Sequence, residues 1–315
     1  MKKKLTYTLL AIACIFTFET GFAQKFNKKF RYTSVGVNVN SMNYVGDLDP
    51  NPSFLSPGLK YSRPNIGISL TQRLYPSLSL RGNVSYGRIQ ASDVNNANYN
   101  PQNIHRRIRN LSFRNDIFEI KFDAVWDLLE NRNNYYRRVD YTPYLFTGIA
   151  YFYHNPHAKT PEAMGGQWVD LRPLQTEGTM YSLHQIAIPL GVGFRYKLNK
   201  NFDVAFEIAW RFTFTDYLDD VSDSYMGREY FGQNELAIAM QDRSMENLEN
   251  DPYLSQWIRE NNGFINDGEH TLVNGFGRKG DQRGQPSRKD WYVVAGFHLT
   301  YIIPPAIKCP LPKFR

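Results

Sequence analysis

Six histidines, His105, His154, His157, His184, His270 and His298, are the first side chains in this 315-residue sequence that could do chemistry. None stands in a metal-binding spacing such as His-Glu-x-x-His. His154 and His157 flank Asn155-Pro156, which is half a zinc site at best, and the expected state is a pair of loop histidines in water. The segment TDYLDDVSDSY gathers Asp216, Asp219, Asp220 and Asp223. Carboxylates at that density suit calcium, but the central glycine and closing glutamate of an EF-hand loop are missing. A solvated or hydrogen-bonded rim is expected instead. His184 and Asp216 could form an acid–base pair, yet nothing in the sequence selects them. The expectation is no enzyme, no cofactor and no metal.

The more informative charges alternate with grease. In FEIKFDAVWDLL, Glu119, Lys121, Asp123 and Asp127 interleave with Phe118, Ile120, Phe122, Ala124, Trp126 and Leu128. Successive side chains of a strand point to opposite faces, so one face is charged and the other apolar. Either the charges meet bulk water around a soluble core, or the apolar face meets lipid around a closed lumen.

The rest of the chain favours lipid. Lys2, Lys3 and Lys4, an apolar run from Leu9 to Phe18 and small residues at Gly21 and Ala23 read as a cleavable signal peptide over 1–23. A lipoprotein signal using Cys14 would have a very short apolar run. Losing three lysines and Glu19 takes the net charge from +7 to +5, a modest surplus that does not suggest nucleic acid for an exported chain. Only Cys309 then remains, so no internal disulfide is expected. Beyond the leader no stretch approaches the roughly 18 apolar residues of a membrane helix. Mean hydropathy is −0.50, yet aromatics make up 15% of residues, a combination that suits strands giving only half their side chains to lipid.

The alternation recurs in eight segments, among them Val35, Val37 and Val39; Ile66, Ile68 and Leu70; Val204, Phe206 and Ile208; and Phe297, Leu299 and Tyr301. PYLFTGIAYFYH is apolar on both sides and has the least certain register. Connections alternate in length, at about 46–63, 75–77, 92–111, 130–142, 155–181, 199–201 and 216–289. Short periplasmic turns and long outer loops are the signature of outer-membrane barrels, and an even strand number returns both ends to the periplasm. Tyr75, Trp126, Tyr196, Phe202 and Tyr301 would form one aromatic girdle, and Tyr44, Tyr153, Phe214 and Trp291 the other. The predicted fold is all-β: an eight-stranded antiparallel transmembrane β-barrel over 24–303, with an extended periplasmic tail over 304–315.

Eight strands leave an interior that side chains nearly fill. There Arg81, Lys121, Arg195 and Arg211 would meet Glu119, Asp123, Asp127, Asp203 and Glu207. Unpaired charges would be costly in so narrow a space, so the sequence predicts a plugged scaffold rather than a diffusion pore. A short amphipathic helix is expected around QNELAIAMQDRSMENLE in the longest outer loop. The ending PPAIKCPLPKFR is stiffened by Pro304, Pro305, Pro310 and Pro312 and made basic by Lys308, Lys313 and Arg315. Its Cys309 suits an intermolecular disulfide in an oxidising compartment. With the basic arm Lys25, Lys28, Lys29 and Arg31 and the string NNYYRR, the tail would make one periplasmic face.

Four strings, YVGDL, NPHAKTPEAMGGQWVDLRPLQTEG, TDYLDDVS and KCPLPKF, resemble the PorG-like outer-membrane barrels of the Bacteroidota type IX secretion system. The likeness spans the mature chain. It implies a role in protein export, and in gliding motility where the organism glides, through a periplasmic ring made of a lipoprotein and its partner. It further implies that Lys308, Cys309, Pro310, Lys313, Phe314 and Arg315 form the docking element for that ring. Outer-membrane lipid is the other expected partner. A stand-alone small porin or adhesin acting through its outer loops is the competing expectation.

Overall fold

The computed structural model describes residues 30–49, 62–96, 103–246, 248, 251–268 and 270–304. The leader 1–23 and the tail from Pro305 onward, with all six expected docking residues, lie outside the described residues.

Among the described residues, eight long strands close into one antiparallel barrel. They are β1 (Thr33–Val45), β2 (Arg63–Arg73), β3 (Leu78–Ser92), β4 (Ser112–Asp127), β5 (Tyr141–Lys159), β7 (His184–Lys197), β8 (Phe202–Thr213) and β11 (Trp291–Ile303). Short accessory strands β6 (Trp168–Asp170), β9 (Phe264–Asp267) and β10 (His270–Val273) lie in the connections. Each long strand pairs with its neighbour, the β4–β5 ladder joins the two halves, and β1 against β11 closes the ring with Thr33 opposite Ile303. The first and last strands therefore begin and end at the same rim, the rim of the tight reversals. There Leu74 N–H and Tyr75 N–H both donate to Leu78 O, and Leu198 N–H donates to Phe202 O. No described helix is long and apolar enough to cross a membrane.

Side-chain polarity is inverted relative to a soluble barrel. Val39, Ile68, Phe122, Ile149 and Phe297 point outward and are about 60% or more exposed, while Glu119, Lys121, Asp123 and Asp127 point inward and are buried. Lipid is the solvent that makes such a surface stable. The ambiguous strand β5 resolves with Tyr144, Phe146, Ala150 and Phe152 inside. Its ladder to β7 breaks between Thr147↔Leu190 and Ala150↔Ala187, where Pro189 has no N–H to give and Thr147 Oγ1 donates to Pro189 O instead at 2.8 Å. At Gly148 an added Cβ would stand 1.9 Å from Phe122 O, so only glycine permits the close approach of β5 to β4.

Strands β3, β4 and β5, with 15, 16 and 19 residues, exceed the 9–11 that a bilayer needs, and their polarity reverses partway. In β4 the inward set changes from Glu119 and Lys121 to Ile117 and Phe113 as the outward set changes from Phe118 to Asp116 and Arg114. In β3 the inward residues beyond Ser85 are Gly87, Ile89 and Ala91, and Arg88 turns outward to meet Asp116 with Nε at 2.5 Å. Here the strands leave lipid and enclose an apolar core of Met42, Tyr44, Ile89, Phe113, Phe152 and Tyr292, joined by Leu48, Leu171 and Leu218 from the connections. The outer connections thus fold into a cap with a soluble-type core. The expected helix is present as Glu235–Gln241, N-capped by the Asn234 side chain, and a second helix, Pro252–Asn261, follows it.

Candidate functional site: a filled lumen beneath an outer cap

Strand alternation aims the nine expected lumen charges into one column. Each meets an opposite charge there. Arg81 lies between Asp123, with Nη2 3.0 Å from Oδ2, and Glu207, with Nη2 3.2 Å from Oε2. Lys121 pairs with the same Asp123. Arg211 grips Glu119, Nε to Oε2 at 2.9 Å and Nη2 to Oε1 at 3.3 Å. Arg195 pairs with Asp127. Tyr292 donates to Glu119 at 2.9 Å and Tyr144 to Glu207 at 2.6 Å, satisfying lone pairs that would otherwise be stranded. The Arg81 guanidinium lies 4.6 Å from the centre of the Phe146 ring, a favourable cation–π contact.

Three further groups belong to this column. His298 Nδ1 stands 3.5 Å from Glu207. Arg73 shares Asp127 with Arg195, Nη1 to Oδ2 at 3.1 Å. Arg138 seals the short-turn end from connection 128–140: its guanidinium reaches Asp203 at 2.5 Å and donates to the carbonyls of Tyr135, Lys200, Asn199 and Phe202. That clamp is why the connection is longer than a turn requires. Arg73 and His298 sit at inward positions of their alternation, so parity could have flagged them; no sequence signal places Arg138. Voids of about 40, 20 and 10 Å³ remain within the lumen, room for isolated waters rather than a continuous aqueous path.

At the other end Asp216, Asp219 and Asp220 of the acidic segment are buried, while Asp223 is exposed. Asp216 accepts from Ser222 Oγ at 2.7 Å, Asp219 from Val221 N–H at 3.0 Å, and Asp220 from Thr176 Oγ1 at 2.5 Å and Tyr181 at 2.7 Å. The solvated alternative for this rim gives way to the hydrogen-bonded one. Among the described residues no group of three or more His, Cys, Asp or Glu is arranged to hold a metal. The Tyr44 hydroxyl lies 2.5 Å from Asp219 Oδ2 and 2.8 Å from Asp290 Oδ1. Having one proton to donate, the hydroxyl gives it to one of these carboxyls at a time. Burial and mutual repulsion push both carboxyls well above their usual range, Asp219 also feeling Asp47.

Three expectations for this end are corrected. Tyr44 does not join the outer aromatic girdle; it turns inward and is buried against Phe113, because its hydroxyl finds those two carboxyls. His154 is not a loop histidine in water: β5 continues to Lys159 along β4 and β6, and His154 is fully buried, its Nδ1 accepting from Asn115 Nδ2 at 3.1 Å. His157 meets Asp170 at 2.7 Å instead of sharing a ligand with His154. The third outer connection consequently starts after Lys159. His184 reaches Tyr151 rather than Asp216.

An apolar exterior, a charged and filled interior and a cap on the long-connection rim define a transmembrane β-barrel. A family model described as "Domain of unknown function (DUF6089)" matches residues 13–233, and the chain belongs to that family. None of the curated proteins matches the sequence. Among solved structures, the chain is similar to Neisserial surface protein A, with 11% identity and a TM-score of 0.37 over 85% of this chain and 96% of that one. It is also similar to OprG, an outer-membrane protein of Pseudomonas aeruginosa, with 9% identity and a TM-score of 0.37 over 88% and 98% of the two chains. A third is Ail of Yersinia pestis, solved with the heparin analogue sucrose octasulfate, with 7% identity and a TM-score of 0.37 over 87% and 99%.

Proposed function

We propose that this chain is a non-enzymatic outer-membrane barrel, exported through its leader, that anchors or organises a periplasmic assembly. The observation that carries this reading is the filled lumen. A cylinder whose inner charges are paired across the axis, and whose short-turn end is clamped by Arg138, is built for rigidity and not for passage. The likeness of four sequence strings to PorG-like barrels points to the ring of the type IX secretion and gliding machinery as the assembly. On that reading the tail residues Lys308, Cys309, Pro310, Lys313, Phe314 and Arg315 bind the ring lipoprotein and its partner, with a disulfide at Cys309 as one route.

The folded cap favours a second reading, an adhesin working alone from the cell surface; the filled lumen counts against a porin. Affinity purification in mild detergent separates the two. An anchor brings periplasmic subunits with it, and crosslinking through Cys309 identifies them. Recovery of the barrel alone, together with unchanged secretion in a deletion strain, would remove the anchoring role.

A further inference from the structure

Three outer connections contribute to an open cavity of about 530 Å³, lined among others by Asp47, His105, Arg106, Arg109, Arg283 and Arg288. Two of its four arginines are committed to the fold. Arg109 clamps Asp93 at 2.7 and 2.8 Å and donates to Asp47 O at 3.1 Å. Arg283 holds Glu177 at 2.8 Å and the carbonyl of Asp220 at 2.6 Å.

The other two are not. Arg106 is only 8% exposed, yet among the described residues its side chain makes one hydrogen bond, from Nη2 to Asn103 Oδ1 at 2.9 Å. No carboxylate lies within ion-pair distance of it among the described residues; Asp93 and Asp49 act on it from further off. A buried guanidinium normally has its fork filled by an anion; this residue lines the cavity. Arg288 is exposed on the same wall, where Asp47 is the carboxylate that feels its charge. The carboxylate present, Asp47, is engaged by the Gln285 N–H at 2.9 Å. Burial and the positive field of Arg109 and Arg106 lower the pKa of His105, which leaves its ring a neutral donor and acceptor.

We infer that this cavity binds the phosphate or sulfate ester of a small saccharide, with Arg106 as the fork for the ester oxygens and Arg288 as a second cation. The volume suits a sugar with its ester and exceeds what a bare anion needs. Phe276 supplies an apolar wall for a ring face, while His105 and Asp47 are placed for hydroxyls. The ester has two natural sources at an outer surface, a glycolipid headgroup or a soluble glycan.

Calorimetry on the full chain in detergent, with glucose 6-phosphate as probe, tests the site. Saturable binding is expected, at least tenfold weaker in Arg106→Gln, weaker in Arg288→Gln, and at least tenfold weaker for glucose. In a second arm, nanodiscs with and without lipopolysaccharide distinguish the source. A melting temperature raised by lipopolysaccharide in wild type but not in Arg106→Gln assigns a headgroup; an unchanged one with the soluble ester still binding assigns a soluble glycan. Folding of each variant is checked by heat-dependent gel mobility, and Arg288→Gln, at an exposed position, carries the test if Arg106→Gln does not fold. The inference is overturned if folded wild type binds no ester in either arm, if the variants bind as wild type does, or if glucose or inorganic phosphate binds as tightly as glucose 6-phosphate. None of these outcomes depends on the periplasmic role proposed above.

Discussion

Arg81 shows what one residue contributes in a lumen of this kind. Its guanidinium satisfies two carboxylates from different strands, and removing it leaves Glu207 with the Tyr144 hydroxyl and His298 as its near partners. Breaking a buried ion pair by deleting one partner costs roughly 3–5 kcal/mol, so Arg81→Met is expected to lower barrel stability by about that amount in urea unfolding. Adding Glu207→Leu should recover part of the loss, since an apolar pair of similar volume has no charge left to desolvate. Equal stability of Arg81→Met and wild type would mean that water already fills the column. All nine lumen charges were legible in the sequence because period-two alternation fixes the face of a strand without knowledge of its partners. What alternation could not supply was the pairing, which depends on register across the axis, or the contribution of Arg138, which arrives from a connection with no period at all.

At the scale of elements, the molecule joins two environments end to end, and each end makes a prediction. At the short-turn rim, connection 128–140 is held by Arg138 through Asp203 and four carbonyls. Arg138→Ala should therefore expose this connection to protease added at the short-turn rim while the strands stay protected. At the outer rim, burial raises the pKa of Asp49 and of Asp216 to about 6, and it raises those of Asp219 and Asp290 as well. A carboxyl whose pKa is raised on folding binds its proton more tightly in the folded state, so stability falls as pH rises. The contribution is fully present below the ordinary value of 3.8 and is lost as pH passes through about 6 for Asp49 and Asp216. Protection factors of cap amides, corrected for the base catalysis of exchange itself, should accordingly be higher at pH 5 than at pH 8, with Asp216→Asn reducing the difference. The cap was the least legible part of the sequence. Tyr44 and His154 looked like rim residues because the reversal of polarity along β3, β4 and β5 replaces lipid outside and charge inside with water outside and an apolar core inside. Three of the strings that carry the family resemblance contribute Tyr44, Glu177 and Asp219 to this interior, so part of that likeness records how the cap packs.

For the molecule as a whole, the deciding quantity is whether the filled lumen conducts. Eight strands set a narrow cylinder, and its cross-section is occupied by paired arginine, lysine and carboxylate side chains together with Phe146 and Tyr144. An ion entering would have to break these pairs or shed its hydration in voids of about 40 Å³ or less. Either step carries a desolvation cost of several kcal/mol. Above the column, the cap closes the outer mouth with an apolar core that offers a passing ion no replacement for water. The blockage is thus duplicated at two levels, one electrostatic and one apolar. Purified protein in planar bilayers is expected to show no steady open level, and shortening the outer connection 214–290 should not create one, since the ion pairs of the lumen are carried by the strands and survive loss of the cap. Conductance should appear only when the column itself is emptied, for instance in the combined variant Arg81→Ala, Glu207→Ala and Arg211→Ala. A steady channel in wild type would reverse the assignment from scaffold to pore, whatever binds at either rim.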